Sequence, residues 1–234
     1  MSVSLADKIH SINNYQVHVF RTGRWKQNSY LVFNTLDSSI ILIDPGGEAE
    51  KIIQTVEALE GTVESICLTH AHHDHVGALK SVCEKFGKEF YIHKNDLKLL
   101  RRAPMFALTF EARKMEVPQL GQVFLSDARK EVITKNIKFM HTPGHTTGGV
   151  VIYIENLAFT GDTLLNKMVG RTDLPGASTH ELESSISYFL YELTDETTLF
   201  PGHGDPWQVA EAKTWWEANK HCVPEYRTDN ELSY

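Results

Sequence analysis

The stretch Thr69-His70-Ala71-His72-His73-Asp74-His75 decides how the rest of the chain is read. It follows directly on Val63–Leu68, an apolar run with the character of a buried β-strand. Four histidines and an aspartate within six positions do not suit a core, because several imidazoles would be buried together without polar partners. The stretch is either a solvated polar loop, a His-rich metal-binding tract with no enzymatic role, or part of a catalytic metal site.

Three turns further along favour the last reading. They are Thr142-Pro143-Gly144-His145, Gly161-Asp162-Thr163 and Pro201-Gly202-His203-Gly204. Each follows an apolar strand and offers one ligand-type side chain from a tight turn. Loops on a rigid scaffold are where ligands and catalytic groups concentrate. Imidazoles and carboxylates without cysteine suit zinc, and also iron or manganese. Two ligand sets can be assembled: His70, His72 and His145 for one ion, and Asp74, His75 and His203 for a second. Asp162 can bridge them, since ions in two-metal hydrolases sit about 3.5–4 Å apart. Two divalent metal ions, zinc first, are therefore the expected cofactors.

Composition bounds the alternatives. The chain has 234 residues, 41% of them hydrophobic and 23% charged, with a formal net charge of -7. One domain over residues 1–234 is expected, with a metal core at about 28–205 and a C-terminal helix at about 209–220. An acidic surface repels nucleic-acid backbones, so the partner is expected to be a small molecule. Cys67, Cys83 and Cys222 form no disulfide framework and suit a reducing compartment. The N-terminus reads as neither secretory signal nor membrane anchor, and no apolar run is long enough to span a bilayer. A cytoplasmic location is expected. Oligomeric state is not legible.

Strands are expected at Tyr15–Arg21, Ser29–Asn34, Ile40–Ile43, Phe90–His93 and Val132–Met140. A hairpin is expected across Glu155-Asn156, and a last strand at Thr198–Phe200. Helices are expected at Glu48–Leu59, at Val76–Phe86 with Gly87 as stop, and from Asn95 to Arg102. Others are expected at His180–Leu190 with Thr179 as N-cap, and at Val209–Lys220. Pro104–Gln122 has no clean period and reads as a lid, a pocket wall or a surface connection.

The order His70-x-His72-x-Asp74-His75, His145, Asp162, His203 resembles the signature of the metallo-β-lactamase superfamily, and the likeness runs from Asn28 to His203. The resemblance implies an α/β fold, the four-layer αββα sandwich, with the ligand assignments above. Asp44, in Ile43-Asp44-Pro45-Gly46, matches an early turn aspartate that supports the ligands. Gln27-Asn28-Ser29-Tyr30, Thr142–Thr146, Gly161–Leu164 and Gly170–Gly176 look most like the glyoxalase II-like hydrolases. That likeness implies hydrolysis of a thioester such as S-D-lactoylglutathione through a metal-bridging hydroxide. Larger glyoxalase II enzymes add a helical region that helps hold glutathione. Here the chain ends soon after His203, as in the compact members.

A thiolate leaves without much proton assistance, whereas an ester or lactone would need it, and Asp74 can then pass on a proton besides ligating. Arg171 suits the anionic tail of a substrate, or else a surface or structural ion pair, and Asp173 is expected to position the Arg171 loop. His73 is expected to point away from the metals, and His141 to be packed or hydrogen-bonded. Other readings on the same scaffold are a mono-iron persulfide dioxygenase using His70, His145 and Asp162, a lactonase or esterase, and a β-lactamase. A non-catalytic, metal-stabilised binding protein is the alternative from another class.

Overall fold

The computed structural model describes residues 4–118, 123–125, 130–134 and 136–220. His221 and Cys222 lie outside the described residues, as do residues 119–122 of the stretch without a clean period. The chain divides into two compact units: Met1–Ser126 with Gly202–Gly204, and Asp127–Pro201 with Asp205–Tyr234.

The first unit is built on one sheet in sequential order. Its strands are β1 (Lys8–Ile12), β2 (Tyr15–Thr22), β3 (Gln27–Asn34), β4 (Ser39–Ile43), β5 (Thr62–Cys67), β6 (Phe90–His93) and β7 (Val123–Leu125). The first four pair antiparallel, and β4 to β7 run parallel. Parallel neighbours need a crossover, and each here carries a helix. These helices are α1 (Ala49–Ala58), α2 (Leu79–Phe86) and α3 (Leu97–Glu111). Their apolar faces, among them Ile52, Leu79, Val82 and Leu100, pack with Leu31 and Ile66 of the sheet in one buried cluster. The register Ile43↔Cys67 sets the ends of β4 and β5 side by side. The loops that follow, beginning at Asp44 and Leu68, therefore open at the same carboxyl edge of the sheet, where open parallel sheets bind ligands.

Two helices differ from the sequence reading. α2 begins at Leu79 and not Val76: Leu79 N bonds Val76 O at 3.1 Å in a turn before the helix, and the Ala78 amide, at the N-cap, donates to Pro45 O at 2.8 Å. α3 does not stop at Arg102 but runs through Pro104 to Glu111. A proline inside a helix removes one amide and costs about 3 kcal/mol. The buried face Leu100, Ala103 and Ala107 continues across it and holds both halves. Helical order thus occupies much of the stretch without a clean period. No helix among the described residues is long and apolar enough to cross a membrane.

The second unit has a sheet containing β8 (Lys130–Val132), β9 (Lys138–His141), β10 (Val150–Ile154) and β11 (Leu157–Gly161). A short pair β12 (Leu164–Leu165) and β13 (Met168–Val169) follows, then β14 (Thr198–Pro201) and β15 (Trp207–Gln208). The sheet order is β15-β14-β11-β10-β9-β8. β11 and β14 are parallel, and α4 (Thr179–Glu192) makes the crossover. α5 (Val209–Asn219) closes the described chain. Leu182, Ile186, Phe189, Leu199 and Trp216 form this unit's core.

The single strand expected over Val132–Met140 is two strands, β8 and β9, which turn back through the Ile133 N to Ile137 O bond. The Glu155-Asn156 hairpin is present, with Glu155 at φ 51. The N-cap of α4 is Ser178, not Thr179. Ser178 is extended at φ -150 and its hydroxyl accepts from Glu181 N at 3.2 Å, whereas Thr179 is already helical.

Candidate metal centre

In the first unit the site grows from the ends of β4 and β5. Asp44 sits in the left-handed region at φ 47, a conformation Asp tolerates better than most residues. Its amide donates to Cys67 O at 3.0 Å. Its Oδ1 accepts from Thr69 N at 2.7 Å, and its Oδ2 from the Thr69 hydroxyl at 2.5 Å. His75 Nδ1 is 2.9 Å from the same Oδ2. Gln27, fully buried, donates through Nε2 to Asn28 O and Asp44 O. Gly46 leaves space for the ligand loop, since a Cβ there would lie 1.8 Å from Asp74 O.

The imidazoles gather tightly. The ring centroids of His70 lie 4.8 Å from His72 and 4.1 Å from His75, and those of His75 and His203 are 5.5 Å apart. Asp74, His75 and His203 each offer a ligand atom, all within 4.8 Å of one another. Asp44, His70 and His75 form a second such group. The Asp44 oxygens are already engaged by Thr69 and His75 Nδ1, which places Asp44 behind the candidate ligands.

In the second unit His145 lies in the turn after β9. Gly144, at φ 137, adopts a backbone shape other residues avoid, and a Cβ would strike Leu182 N at 2.2 Å. His145 Nε2 is 3.6 Å from Asp162 Oδ2. Gly170 passes beneath both, where a Cβ would meet Asp162 O at 1.8 Å. The Arg171 guanidinium grips Asp173 through two hydrogen bonds, at 2.6 and 2.7 Å. This bond holds the Asp173 carboxyl below its usual range. Arg171 is thus in the ion-pair arrangement weighed from sequence, with its side chain 58% exposed.

Protonation follows from the partners on Nδ1. His145 Nδ1 faces Arg171 O at 2.8 Å, and His203 Nδ1 faces Trp25 O at 3.0 Å. A carbonyl only accepts, so both Nδ1 atoms carry the proton. His75 Nδ1 donates likewise to Asp44. The Thr69 hydroxyl donates its hydrogen to Asp44, so its oxygen accepts from His70 Nδ1 at 3.1 Å. In neutral form, all four rings therefore have Nε2 as the unprotonated nitrogen. His203 Nε2 stands 3.4 Å from Asp74 Oδ2, lone pair against lone pair. Two ligands on one tetrahedral cation, with bonds near 2.0–2.1 Å, lie about 3.3 Å apart. The donor types, the uniform anchoring of the outer nitrogens and these separations fit divalent metal ions.

His73 turns to Glu111, with Nε2 3.2 Å from Oε1. His141 Nε2 meets Thr147 O at 3.0 Å, matching a hydrogen-bonded role. Sequence reasoning overlooked Thr69, Gln27, Glu111 and the carbonyls of Trp25 and Arg171 as supports. Thr69 and Gln27 do stand inside the quoted motifs. The carbonyls have no sequence signal, because every residue carries one.

Residues 22–203 match the family model described as "Metallo-beta-lactamase superfamily", and the chain belongs to this superfamily of metal-dependent hydrolases. The "Hydroxyacylglutathione hydrolase GloC" of Haemophilus influenzae is 32% identical over 84% of this chain and 94% of its own. The crystal structure of TTHA1623 in a di-iron-bound form shares 33% identity, with a TM-score of 0.75 over 85% of this chain and 98% of that one. The BLEG-1 B3 metallo-β-lactamase shares 30%, with a TM-score of 0.77 over 85% and 96%. The fold class expected from sequence, the αββα metallo-β-lactamase sandwich, is the one these matches show.

Proposed function

We propose that the chain is a dinuclear metal-dependent hydrolase acting on a small acyl thioester. In this reading His70, His72 and His145 would hold one ion, Asp74, His75 and His203 would hold the other, and the Asp162 carboxylate would serve both. The observation that carries it is the shared orientation of four histidines, each with Nδ1 against an oxygen, which makes Nε2 the unprotonated, ligand-type nitrogen. Bound divalent ions supply a water acidified towards neutral pH and a positive charge for the developing oxyanion. Zinc is the leading candidate by ligand type, and iron or manganese would use the same donors.

The remaining chemistry belongs to the side chains. Asp44 and the two backbone carbonyls keep the imidazoles in one tautomer, so no proton competes for the ligating nitrogen. Asp74, whose carboxylate is partly exposed, can also take up a proton during turnover. Arg171, oriented by Asp173 and open to solvent, is our candidate for an anionic tail on the substrate. A thioester suits a site without a dedicated general acid, since a thiol of pKa near 8.5 departs readily as thiolate. The activity in the name of the Haemophilus relative supports the same choice.

A mono-iron persulfide dioxygenase is the second reading, and the intact Asp74–His75–His203 group counts against it because that chemistry gives the group no role. The test is thiol release from S-D-lactoylglutathione by protein of measured metal content, beside a His70→Ala, His72→Ala double variant. Loss of metal and of at least about a thousandfold in rate is expected. Full activity in a metal-free double variant would sink the proposal. Oxygen uptake with glutathione persulfide, in place of thiol release, would select the dioxygenase.

A further inference from the structure

The loop from Leu68 to Ala78 has no regular secondary structure, yet it presents four of the proposed ligands. On one side Asp44 holds it. On the other, α3 grips it at two points. At the start of α3, Asp96 Oδ2 accepts from Ala71 N at 3.0 Å. At its end, Ala112 adopts the left-handed conformation, φ 50, and its amide and that of Arg113 return to Leu108 O and Ala107 O. That cap turns Arg113 back across the loop.

The Arg113 Nε donates to Glu111 Oε2 at 2.9 Å, and its Nη2 donates to His73 O at 3.4 Å. The guanidinium lies over Gly77, where a Cβ would come within 2.4 Å of Nη1. The other Glu111 oxygen sits 3.2 Å from His73 Nε2, a close approach rather than a formed hydrogen bond. Phe110 lies beside the same imidazole, with centroids 6.1 Å apart. The Glu111 side chain is only 6% exposed. A carboxylate so buried requires a partner, and Glu111 is bonded to a cation that also binds the loop backbone, while its other oxygen lies against the loop's central residue.

We propose that Glu111 and Arg113 are positioning residues, a latch that fixes the ligand loop by its outward-facing member, His73, and so sets the directions of His72 and Asp74 on either side. The idea rests on the metal assignment above. It gives His73 a function the ligand pattern does not: a handle, held from outside so that its neighbours point inward.

The test uses the full chain with Glu111→Gln, Glu111→Asp and Arg113→Ala. Each is loaded with cobalt(II), and affinity is measured by chelator competition beside the cobalt absorption spectrum and the melting midpoint of the metal-free protein. Glu111→Gln and Arg113→Ala are expected to bind cobalt about 10- to 100-fold more weakly and to shift its spectrum, with Glu111→Asp recovering part of the loss. Parent-like spectra and affinities within about twofold in both, even with a lowered melting midpoint, would reduce the latch to ordinary packing. Should Glu111→Gln fail to fold, Arg113→Ala, at a side chain 34% exposed, decides alone. A parent chain that binds no cobalt would overturn the metal assignment and the latch together. A parent that binds it, with variants that match it, overturns only the latch.

Discussion

Asp44 Oδ2 lies 2.9 Å from His75 Nδ1 and receives the Thr69 hydroxyl at the same time. One carboxylate thus fixes the tautomer of His75 directly and that of His70 through Thr69. Replacing Asp44 by Asn keeps the tolerance for φ 47 but sets an amide donor against one of these donors. Metal affinity is expected to fall about 10- to 100-fold, read by chelator competition. Unchanged affinity would mean that the imidazoles are oriented by packing alone.

Gly46 and Gly87 make a matched pair. A Cβ on Gly46 meets Asp74 O at 1.8 Å and Gln27 Oε1 at 2.2 Å, so the ligand loop must shift. Gly87→Ala strains a left-handed C-cap, φ 60, but meets nothing within 4 Å. Gly46→Ala is expected to lower both metal content and stability, the latter by about 1–3 kcal/mol. Gly87→Ala should cost about 1–2 kcal/mol with metal content intact. Elemental analysis beside urea denaturation separates the two.

Cys67 and Cys83 are expected to resist alkylation in the native protein. Burial pushes the Cys83 thiol up to about 12, with Glu84 adding to it. Burial raises Cys67 further, reinforced by the charges of Asp44 and Glu64. A raised thiol pKa leaves thiolate a small minority at pH 9 as well as at pH 7, so labelling at both positions should stay far slower than that of an exposed cysteine at either pH. Mass-mapped iodoacetamide labelling would show both becoming reactive only on unfolding. Rapid native labelling of Cys83 would contradict the packing around α2.

Ser178 caps α4 by accepting from Glu181 N. Ser178→Ala should lower stability by about 1 kcal/mol in urea denaturation. A negligible change would return the cap to Thr179.

How far the chain could be read depended on the range of the signal. The helices Ala49–Ala58 and Val209–Asn219 and the strands at Ile40 and Val150 followed from apolar periodicity, because each needs only its own face buried. The end of α3 was hidden, because Pro104 argues locally for a break that burial of Ala103 and Ala107 overrides. Likewise β8 and β9 read as one strand, since the bond that turns the chain back, Ile133 to Ile137, leaves no mark in hydrophobicity.

The amino-acid sequence by itself determined the family and singled out the histidines and aspartates proposed as ligands, because metal-ligand types in strand-ending turns are local and chemically specific. Only the tertiary structure decided how those side chains are held: the Asp44–Thr69 support, the carbonyls behind His145 and His203, and Glu111 against His73. These supports come from backbone atoms and from residues distant in the chain. Their partners exist only once folding has set the strand ends side by side.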